Sequence, residues 1–457
     1  MIVHKFGGTS VGDAERIESV ARIIASSAQG EPTAVVVSAM KGTTNRLIHG
    51  ARSAAAGETG ATAETCSWIR AIHDEASQAL LSGTERREVR DRIATQIEQL
   101  ERFLESISVL GELTARGHDA VVGYGERLSS LLLAAVLCAR GVKAEAVFAT
   151  DLIVTDAAFG AARPEMPETC ARIQERITPW VEQGVVPVIT GYIGATRDGV
   201  PTTLGRSGSD FSAAIVAACL NAGELRIWTD VDGILTADPN VVPSACALRE
   251  LGYDEAAQLA RFGAEVLHPH TVGPVIENGI PLRIVNSFNP DDPGTRIVAS
   301  PGSERALWPA IVSSEDLRLL QVGGGGDDWR IDAGISALTA LSSAGIDVLM
   351  FSQSFSEQGI NLVVRSADAD HAARLLAKDE ATVATEATEV ATISVIAFEK
   401  NGGSSVARRA FTALGDHGVP VLAVARATSD ESLSICVAGD RVADTVRFLH
   451  ERLGPQS

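Results

Sequence analysis

Through the first 300 residues, short apolar runs alternate with stretches of helical spacing. No other feature constrains the fold of this chain as strongly. Residues 2–6 read as a strand ending in Gly7-Gly8, and Ala14, Ile17, Ala21 and Ile24 then recur at helical spacing. Residues 34–38 are apolar and β-branched almost without a break, as in strands covered on both faces. Further strands are predicted at 120–122, 185–190, 225–229 and 281–285, with helices at 128–139 and 211–220 between them. Val89, Ile93, Ile97, Leu100 and Leu104 make one apolar stripe on a charged helix, most simply a solvated face with a packing seam. Alternation of this kind predicts an α/β fold with a mostly parallel sheet between layers of helices.

The chain is 457 residues long, room for about three domains. Its pattern changes near residue 300, where Asn289-Pro290, Asp292-Pro293-Gly294 and Ser300-Pro301-Gly302 interrupt it. An internal repeat follows. Thr339-Ala340-Leu341, Gly345, Val348-Leu349, Ser356 and Val364 match Thr412-Ala413-Leu414, Gly418, Val421-Leu422, Ser429 and Val437. The offset is constant, since 412 − 339 and 437 − 364 both give 73. Each unit reads strand, helix, strand, strand, helix, the ferredoxin-like arrangement of small ligand-sensing domains or of a duplicated scaffold. The second unit is expected to be discontinuous: a strand near 308–312 joins 393–395, with the first unit inserted between them.

Charge and composition exclude several classes. Lys plus Arg number 39 and Asp plus Glu 58, a formal charge of −19. So acidic a chain does not suit a broad face for nucleic acid or anionic membrane. Hydrophobic residues make up 45% and charged residues 21%, which excludes general disorder. The cysteines at 66, 138, 170, 219, 246 and 436 form no CxxC or zinc spacing, so most are expected to be small buried hydrophobes in a reducing cytoplasm. MIVHKFGG has no signal-peptide pattern. Residues 131–139, the most apolar stretch, fall well short of the roughly 18 that a membrane span needs.

Three glycine-rich turns carry candidate chemistry. In Lys5-Phe6-Gly7-Gly8-Thr9-Ser10, glycines let backbone N–H groups approach an anion beside a lysine and a following helix. Neither a Walker A loop nor GxGxxG is present, and a plain Gly-Gly turn is the alternative. In Thr203-Leu204-Gly205-Arg206-Ser207-Gly208-Ser209-Asp210, an arginine, serines and an aspartate converge on a helix start, where Asp210 could simply be a cap. Trp228-Thr229-Asp230-Val231-Asp232-Gly233, followed by Asp238-Pro239, is either a nucleotide edge or a tight turn. His268-Pro269-His270 lacks further metal ligands, and the glycines at 323–326 lack the strand, lysine and helix of a phosphate cradle.

Taken in order, KFGGTS, GRSGSD and WTDVDG resemble the aspartate kinase family of the amino acid kinase fold. The resemblance continues through Val185-Val186-Pro187-Val188, Phe262-Gly263-Ala264 and Val266-Leu267-His268-Pro269. The paired C-terminal units look like that family's tandem ACT domains. The resemblance implies an amino acid kinase-like three-layer sandwich over residues 1–300. It places a first ACT-like domain at 317–385, inserted into a second made of 304–316 and 386–457. It implies ATP-dependent phosphorylation of the L-aspartate side-chain carboxylate to 4-phospho-L-aspartate, with Mg²⁺ accompanying ATP, in the cytoplasm and in at least a homodimer.

Carried over residue by residue, the family pattern makes Lys5 and Asp210 catalytic. Gly7, Gly8 and Ser38 then lie by the phosphates, and Thr229, Asp230, Gly233 and Asp238 on the nucleotide side. Thr44, Glu126, Arg206 and Ser209 hold aspartate, Arg206 by a bidentate grip on a carboxylate and Glu126 by its charge on the α-ammonium. Ser356 and Glu357 mark an effector site for lysine or, second, threonine. The chemistry is coherent, because the nucleophilic carboxylate is already ionised at neutral pH and catalysis reduces to positioning and charge neutralisation.

Four positions depart from the pattern: Ser207 for glycine, Glu265 for a nucleotide-facing lysine, Asn240 for arginine, and Phe355 before Ser356-Glu357. Lys41 is the candidate replacement for the cation absent at 265. Two alternatives stand beside the leading reading. One is an acyl-phosphate kinase for another amino acid, the other an impaired homologue serving as an effector-binding subunit.

Overall fold

The structure is a computed structural model and describes residues 1–262, 272–302, 308–324, 331–354, 359–377, 382–384, 387–398, 403–426 and 432–454. It divides into two compact units. The first comprises Met1–Ile234, Arg249–Ala256 and Val266–Ser303; the second comprises Leu235–Leu248, Ala257–Glu265 and Glu304–Ser457. Residues 235–248 therefore pack with the C-terminal unit, unlike a single division at residue 300. The reason is apolar: Ala237 and Val242 share a core cluster with Val406, Leu414 and Leu449. Thr236 adds polar ties, its hydroxyl to His450 Nε2 at 2.9 Å and its carbonyl to the N–H of Ile311 at 2.8 Å.

The first unit is built on an eight-stranded sheet in the order Ala144–Val147, Val186–Thr190, Thr33–Val37, Ile2–Phe6, Glu224–Thr229, Leu282–Asn286, Thr295–Val298, Glu250–Gly252. Its central pairs are parallel, with Lys5 opposite Val36 on one side and Ile227 on the other. Only Leu282–Asn286 and Thr295–Val298 run antiparallel within it, closing the turn that the Pro-Gly interruption marks. A smaller sheet joins Val154–Thr155, Ile193–Thr196 and Pro201–Thr203.

Helices cover both faces. Helix Ala14–Gly30 starts where Asp13 accepts the N–H of Arg16 at 2.9 Å, and it buries Ile17, Val20, Ala21 and Ile24. These pack with Phe6, Val35, Val37 and Trp228 of the sheet and with Leu128 and Leu132 of helix Tyr124–Ala139. Each large apolar side chain so enclosed contributes about 1.5–3 kcal/mol. Helix Gly208–Cys219 lies against Ile2–Phe6, Thr33–Val37 and Glu224–Thr229, and against helices Met166–Glu182 and Gly273–Glu277. On the helix Ala14–Gly30 side, His4 is fully buried between Trp228 Nε1, which donates to Nδ1 at 2.9 Å, and Ser27 Oγ, 2.9 Å from Nε2. Burial pulls its pKa down to about 3, so it stays neutral.

Two sequence expectations are corrected here. Residues 120–122, expected as a strand, end the helix Ala115–Val122, whose N-cap Thr114 accepts the N–H of Gly117 at 3.0 Å. Three apolar residues cannot distinguish a strand from the end of a helix; the cap decides it. Cys170 and Cys219 form a disulfide, because their helices pack side by side, a contact that a separation of 49 residues does not reveal. Cys66 and Cys436 are buried as expected, whereas Cys138 is exposed. Among the described residues, one helical stretch, Ala115–Ala139, is long and apolar enough by composition to cross a membrane. Of its apolar window, 83% is buried inside the protein.

The second unit carries the repeat. Strand Ala310–Gly324 is followed by helix Ile331–Ser343, strands Met350–Ser354 and Gly359–Arg365, and helix Ser366–Leu376. Strand Thr388–Ile396, helix Gly403–Asp416, strands Ala423–Ala425 and Ser432–Ala438, and helix Val442–Leu453 repeat that order. Gly345 and Gly418, equivalent in the repeat, both sit at positive φ just after the first helix, at 71° and 60°. Strand Ala310–Gly324 serves both repeats. Its first residues pair with the second repeat, Ala310 opposite Ile396 and Ile311 opposite Val395. After an irregularity between Ser314 and Leu317, it also pairs with Gly359–Arg365 of the first repeat.

Candidate active site

Ligands of open parallel sheets bind beyond the carboxyl ends of the strands, where the strand order reverses. Here the reversal falls at Ile2–Phe6: the next strand in sequence lies on one side of it, and Glu224–Thr229 lies on the other. A cleft of about 620 Å³ opens at that point. It is lined by Lys5, Gly8, Ser38, Thr44, Glu126, Arg206, Ser209 and Asp210, eight of the residues singled out from the sequence.

Lys5 is the penultimate residue of its strand, and its stem is enclosed. Its Nζ lies 2.6 Å from Asp210 Oδ1, with side-chain exposures of only 11% and 15%. Asp210 lies inside the first turn of helix Gly208–Cys219 and is not its N-cap, which is Ser207. The aspartate therefore serves the lysine and the cleft. Gly8 is required by contact, because a Cβ there would stand 3.0 Å from the carbonyl oxygen of Ala39. Gly7 differs from its expected role: its N–H points to the Trp228 carbonyl at 3.4 Å, so it faces the neighbouring strand.

The 205–208 turn is wound tightly. Gly205 has φ +79° and Ser207 φ +54°. A left-handed conformation costs a residue with a Cβ about 1 kcal/mol, so Ser207 sits where a glycine would carry less strain. Gly208 is again a contact requirement, with a Cβ falling 2.6 Å from Tyr192 Cδ2.

Glu126 stands in the first turn of helix Tyr124–Ala139 and is 3% exposed. The helix start is pressed onto the 38–41 loop, since a Cβ on Gly125 would lie 2.6 Å from Ala39 Cβ. Glu126 Oε1 accepts the N–H of Ala39 at 3.3 Å, and Oε2 has no hydrogen-bond partner among the described residues. Burial raises its pKa to about 8. A carboxyl with an idle oxygen in a cleft is a receptor for a cation. Lys41 and Arg206 also line the cleft, are exposed, and form no ion pair among the described residues. With Lys5 matched by Asp210, these two give the cleft a surplus of positive charge suited to anionic substrates.

Some residues expected at the site do not line this cleft. Thr229 ends its strand, its carbonyl accepting the N–H of Ser287 at 2.8 Å and the Ser287 hydroxyl at 3.0 Å. Asp230 accepts the Thr229 hydroxyl at 3.2 Å. Gly233 has φ +112° and would place a Cβ 2.5 Å from Thr295 Oγ1, a requirement of the turn. Asp238 belongs to the second unit, where Oδ1 accepts the backbone N–H of Asn240 at 2.8 Å and its Nδ2 at 3.0 Å. Asn240 therefore completes a turn. Glu265, Phe355, Ser356 and Glu357 lie outside the described residues. Asn45 and Tyr192 line the cleft but were not read from the sequence. Tyr192 holds φ +69°, an unusual conformation for a bulky side chain. Its signal was Thr190-Gly191, a glycine at the end of a parallel strand.

Among the described residues, no three His, Cys, Asp or Glu side chains are grouped to hold a metal. Mg²⁺ is commonly bound by one or two carboxylates together with substrate phosphates and water. Among the described residues, the carboxylates lining the cleft are Asp210, already paired with Lys5, and the buried Glu126. A Mg²⁺ ion would therefore arrive with the nucleotide, held mainly by its phosphates.

The amino acid kinase family profile matches residues 1–286, and an ACT-domain profile matches residues 393–453. This chain belongs to the aspartokinases of the amino acid kinase family. The chain is 33% identical to aspartokinase 3, chloroplastic, of Arabidopsis thaliana, over 98% of this chain and 80% of that protein. It is 31% identical to the bifunctional aspartokinase/homoserine dehydrogenase of Haemophilus influenzae, over 99% of this chain and 56% of that longer protein. Among solved structures, E. coli aspartokinase III in complex with aspartate and ADP (R-state) aligns over 100% of both chains, with TM-score 0.79 and 28% identity. The same enzyme with lysine and aspartate (T-state) gives TM-score 0.83 at 28% identity, again over 100% of both chains.

Proposed function

We propose that this aspartokinase transfers the γ-phosphoryl group of ATP to the side-chain carboxylate of L-aspartate, giving 4-phospho-L-aspartate and ADP. The observation that carries this reading is Glu126. It is a buried carboxyl with one unpartnered oxygen, and it shares a cleft with the Lys5–Asp210 pair and Arg206. An amino acid with a second carboxylate matches that set. Glu126 receives its α-ammonium group and Arg206 holds a carboxylate, while Thr44 and Ser209 line the space between. The side-chain carboxylate attacks phosphorus, the bond to the ADP oxygen breaks, and Lys5 neutralises charge on the phosphoryl oxygens. Asp210 holds the Lys5 ammonium group in place, 2.6 Å from its Oδ1.

Gly8 and Ser38 border the phosphates in this proposal, with Gly7 contributing backbone shape. Thr229, Asp230 and Gly233 form the nucleotide edge, with Asp238 assigned to it by family pattern alone. Mg²⁺, when bound with ATP, screens the phosphate charge. The catalytic domain lies within 1–300, less Leu235–Leu248 and Ala257–Glu265, which group with the second unit; the first ACT-like domain at 317–385 is inserted between 304–316 and 386–457, which the shared strand Ala310–Gly324 supports. The enzyme is at least a homodimer. Its terminal strands Met350–Ser354 and Ala423–Ala425 support this by exposing Phe351 and Val424, apolar side chains that a second copy would cover. Lysine, or threonine second, acts as effector at the first ACT-like domain, as the lysine-bound E. coli relative suggests. The cytoplasm is its proposed compartment.

Neither alternative, another amino-acid substrate or an impaired subunit, gains support from the relatives. A hydroxamate assay with ATP, Mg²⁺ and a panel of amino acids tests the proposal. Turnover with aspartate alone supports it; turnover with another acid, or with none, refutes it.

A further inference from the structure

Behind the cleft lies a carboxylate that none of these roles uses. Asp119, on helix Ala115–Val122, is 1% exposed. Its Oδ2 accepts the N–H of Gly160 at 2.8 Å and the N–H of Thr203 at 2.8 Å. Its Oδ1 accepts the Thr203 hydroxyl at 2.9 Å and faces His118 Nδ1 at 3.4 Å. Segments 41 and 84 residues away in sequence thus converge on one side chain. A carboxylate withdrawn from water is costly unless donors surround it. Hydrogen bonds to an ionised acceptor are about twice as strong as neutral ones. The same bonds that stabilise the charge therefore hold both segments in place.

Those segments are walls of the cleft. Gly160 lines it, and Gly205 and Arg206, which also line it, follow Thr203 by two and three residues. The Gly160 turn and the Gly205 turn meet backbone to backbone, for a Cβ on Gly205 would lie 3.3 Å from the Gly160 carbonyl oxygen. The N–H of Ala162 bonds the Thr203 carbonyl at 2.8 Å and extends the join. Where Arg206 stands depends on where Thr203 and Gly160 are held.

We propose that Asp119 is the positioning residue for the substrate-carboxylate end of the cleft. It clamps the Gly160 turn to the strand that leads into Arg206, and so fixes where the guanidinium receives the carboxylate of a dicarboxylic amino acid. This rests on the reading of Arg206 as the carboxylate clamp. Asp119 itself touches no substrate. Misplacement of a substrate-positioning group by about 1 Å can cost 10²-fold in rate, so a clamp this far from the chemistry still matters.

The test compares Asp119→Asn, Thr203→Val and Thr203→Ser with the wild-type chain. Asparagine keeps the shape but removes the charge and replaces one acceptor oxygen with an NH₂ group; valine removes the hydroxyl with its bonds to Asp119 and to the Tyr192 side chain; serine retains both. Steady-state kinetics give KM for aspartate and for ATP, and amide hydrogen exchange follows residues 157–163 and 200–206. Asp119→Asn should raise the aspartate KM tenfold or more and leave the ATP KM within twofold. Exchange should quicken at least tenfold in those two segments while helix Gly208–Cys219 stays protected. Thr203→Val should show the same pattern more weakly, and Thr203→Ser should match wild type. An unchanged aspartate KM overturns the proposal. So does an equal rise in both KM values with exchange spreading into the helix. If wild type phosphorylates no aspartate, the activity reading fails separately and exchange alone decides the clamp: local loss of protection supports it, unchanged protection refutes it. If Asp119→Asn does not fold, the contrast between Thr203→Val and Thr203→Ser carries the same outcomes.

Discussion

Aspartate binding should expel a proton from Glu126, and the affinity should show it. Burial holds the Glu126 pKa at about 8, well above the ordinary 4.5. Hydrogen bonds from its own backbone N–H and from the N–H of Ala39 at 3.3 Å do not offset the lost hydration. In the free enzyme at pH 7, only about one molecule in ten carries the charge, and each pH unit below the pKa costs about 1.4 kcal/mol to ionise it. The α-ammonium group of aspartate needs the ionised form. Apparent affinity should therefore be weaker than its limit by about tenfold at pH 7 and about a hundredfold at pH 6, levelling above pH 8. Calorimetry from pH 6 to 8.5, in buffers of different ionisation enthalpy, reads both the slope and the proton released. Glu126→Gln should remove the slope and weaken binding at pH 8.5 by about 10- to 150-fold, the worth of a hydrogen bond to a charged group at about 1.5–3 kcal/mol. The same raised pKa sets the stability of the ligand-free protein. The contribution of Glu126 is fully present below pH 4.5, declines as pH rises, and is lost through about pH 8, so the melting temperature should fall across that window unless aspartate is present. An affinity that is flat from pH 6 to 8.5 in wild type, or a slope that survives in Glu126→Gln, would refute the reasoning.

Three further outcomes follow from the same geometry. Lys5→Ala should lower kcat by about 10²-fold or more, through loss of one charge contact in the transition state. It also leaves Asp210 without its 2.6 Å partner, so melting should be measured alongside, and near-normal kcat would exclude the role. Arg206→Ala should raise KM for aspartate far more than for ATP in steady-state kinetics; an unchanged aspartate KM would place the guanidinium elsewhere. Ser207→Gly should raise thermal stability by about 1 kcal/mol, because the left-handed backbone at φ +54° no longer strains a Cβ. A lower melting temperature would show that the serine side chain contributes more than its strain costs.

Local pattern was enough for much of this architecture, and it stopped where burial and partnership begin. The parallel strands Thr33–Val37 and Val186–Thr190 are nearly continuous apolar runs, and Ile2–Phe6 and Glu224–Thr229 keep apolar residues around polar or charged ones, a signal that any one segment carries by itself. The 73-residue repeat likewise marks two copies of one βαββα unit, down to the matched glycines 345 and 418. The glycine turns placed Lys5, Arg206 and Asp210 near strand and helix ends, because only certain residues suit those positions. Periodicity assigns a side chain to a face, however, and not to a neighbour. That Glu126 keeps an oxygen unpartnered, that Gly7 turns its N–H to Trp228, and that Asp119 holds Gly160 and Thr203 together all depend on contacts between distant segments. So do the bond between Cys170 and Cys219 and the packing of Ala237 and Val242 with the C-terminal core. The sequence by itself determined which residues could do this chemistry and on which elements they lie. Only the tertiary structure decided which of them are dehydrated and which meet, because desolvation and pairing arise when remote parts of the chain exclude water together.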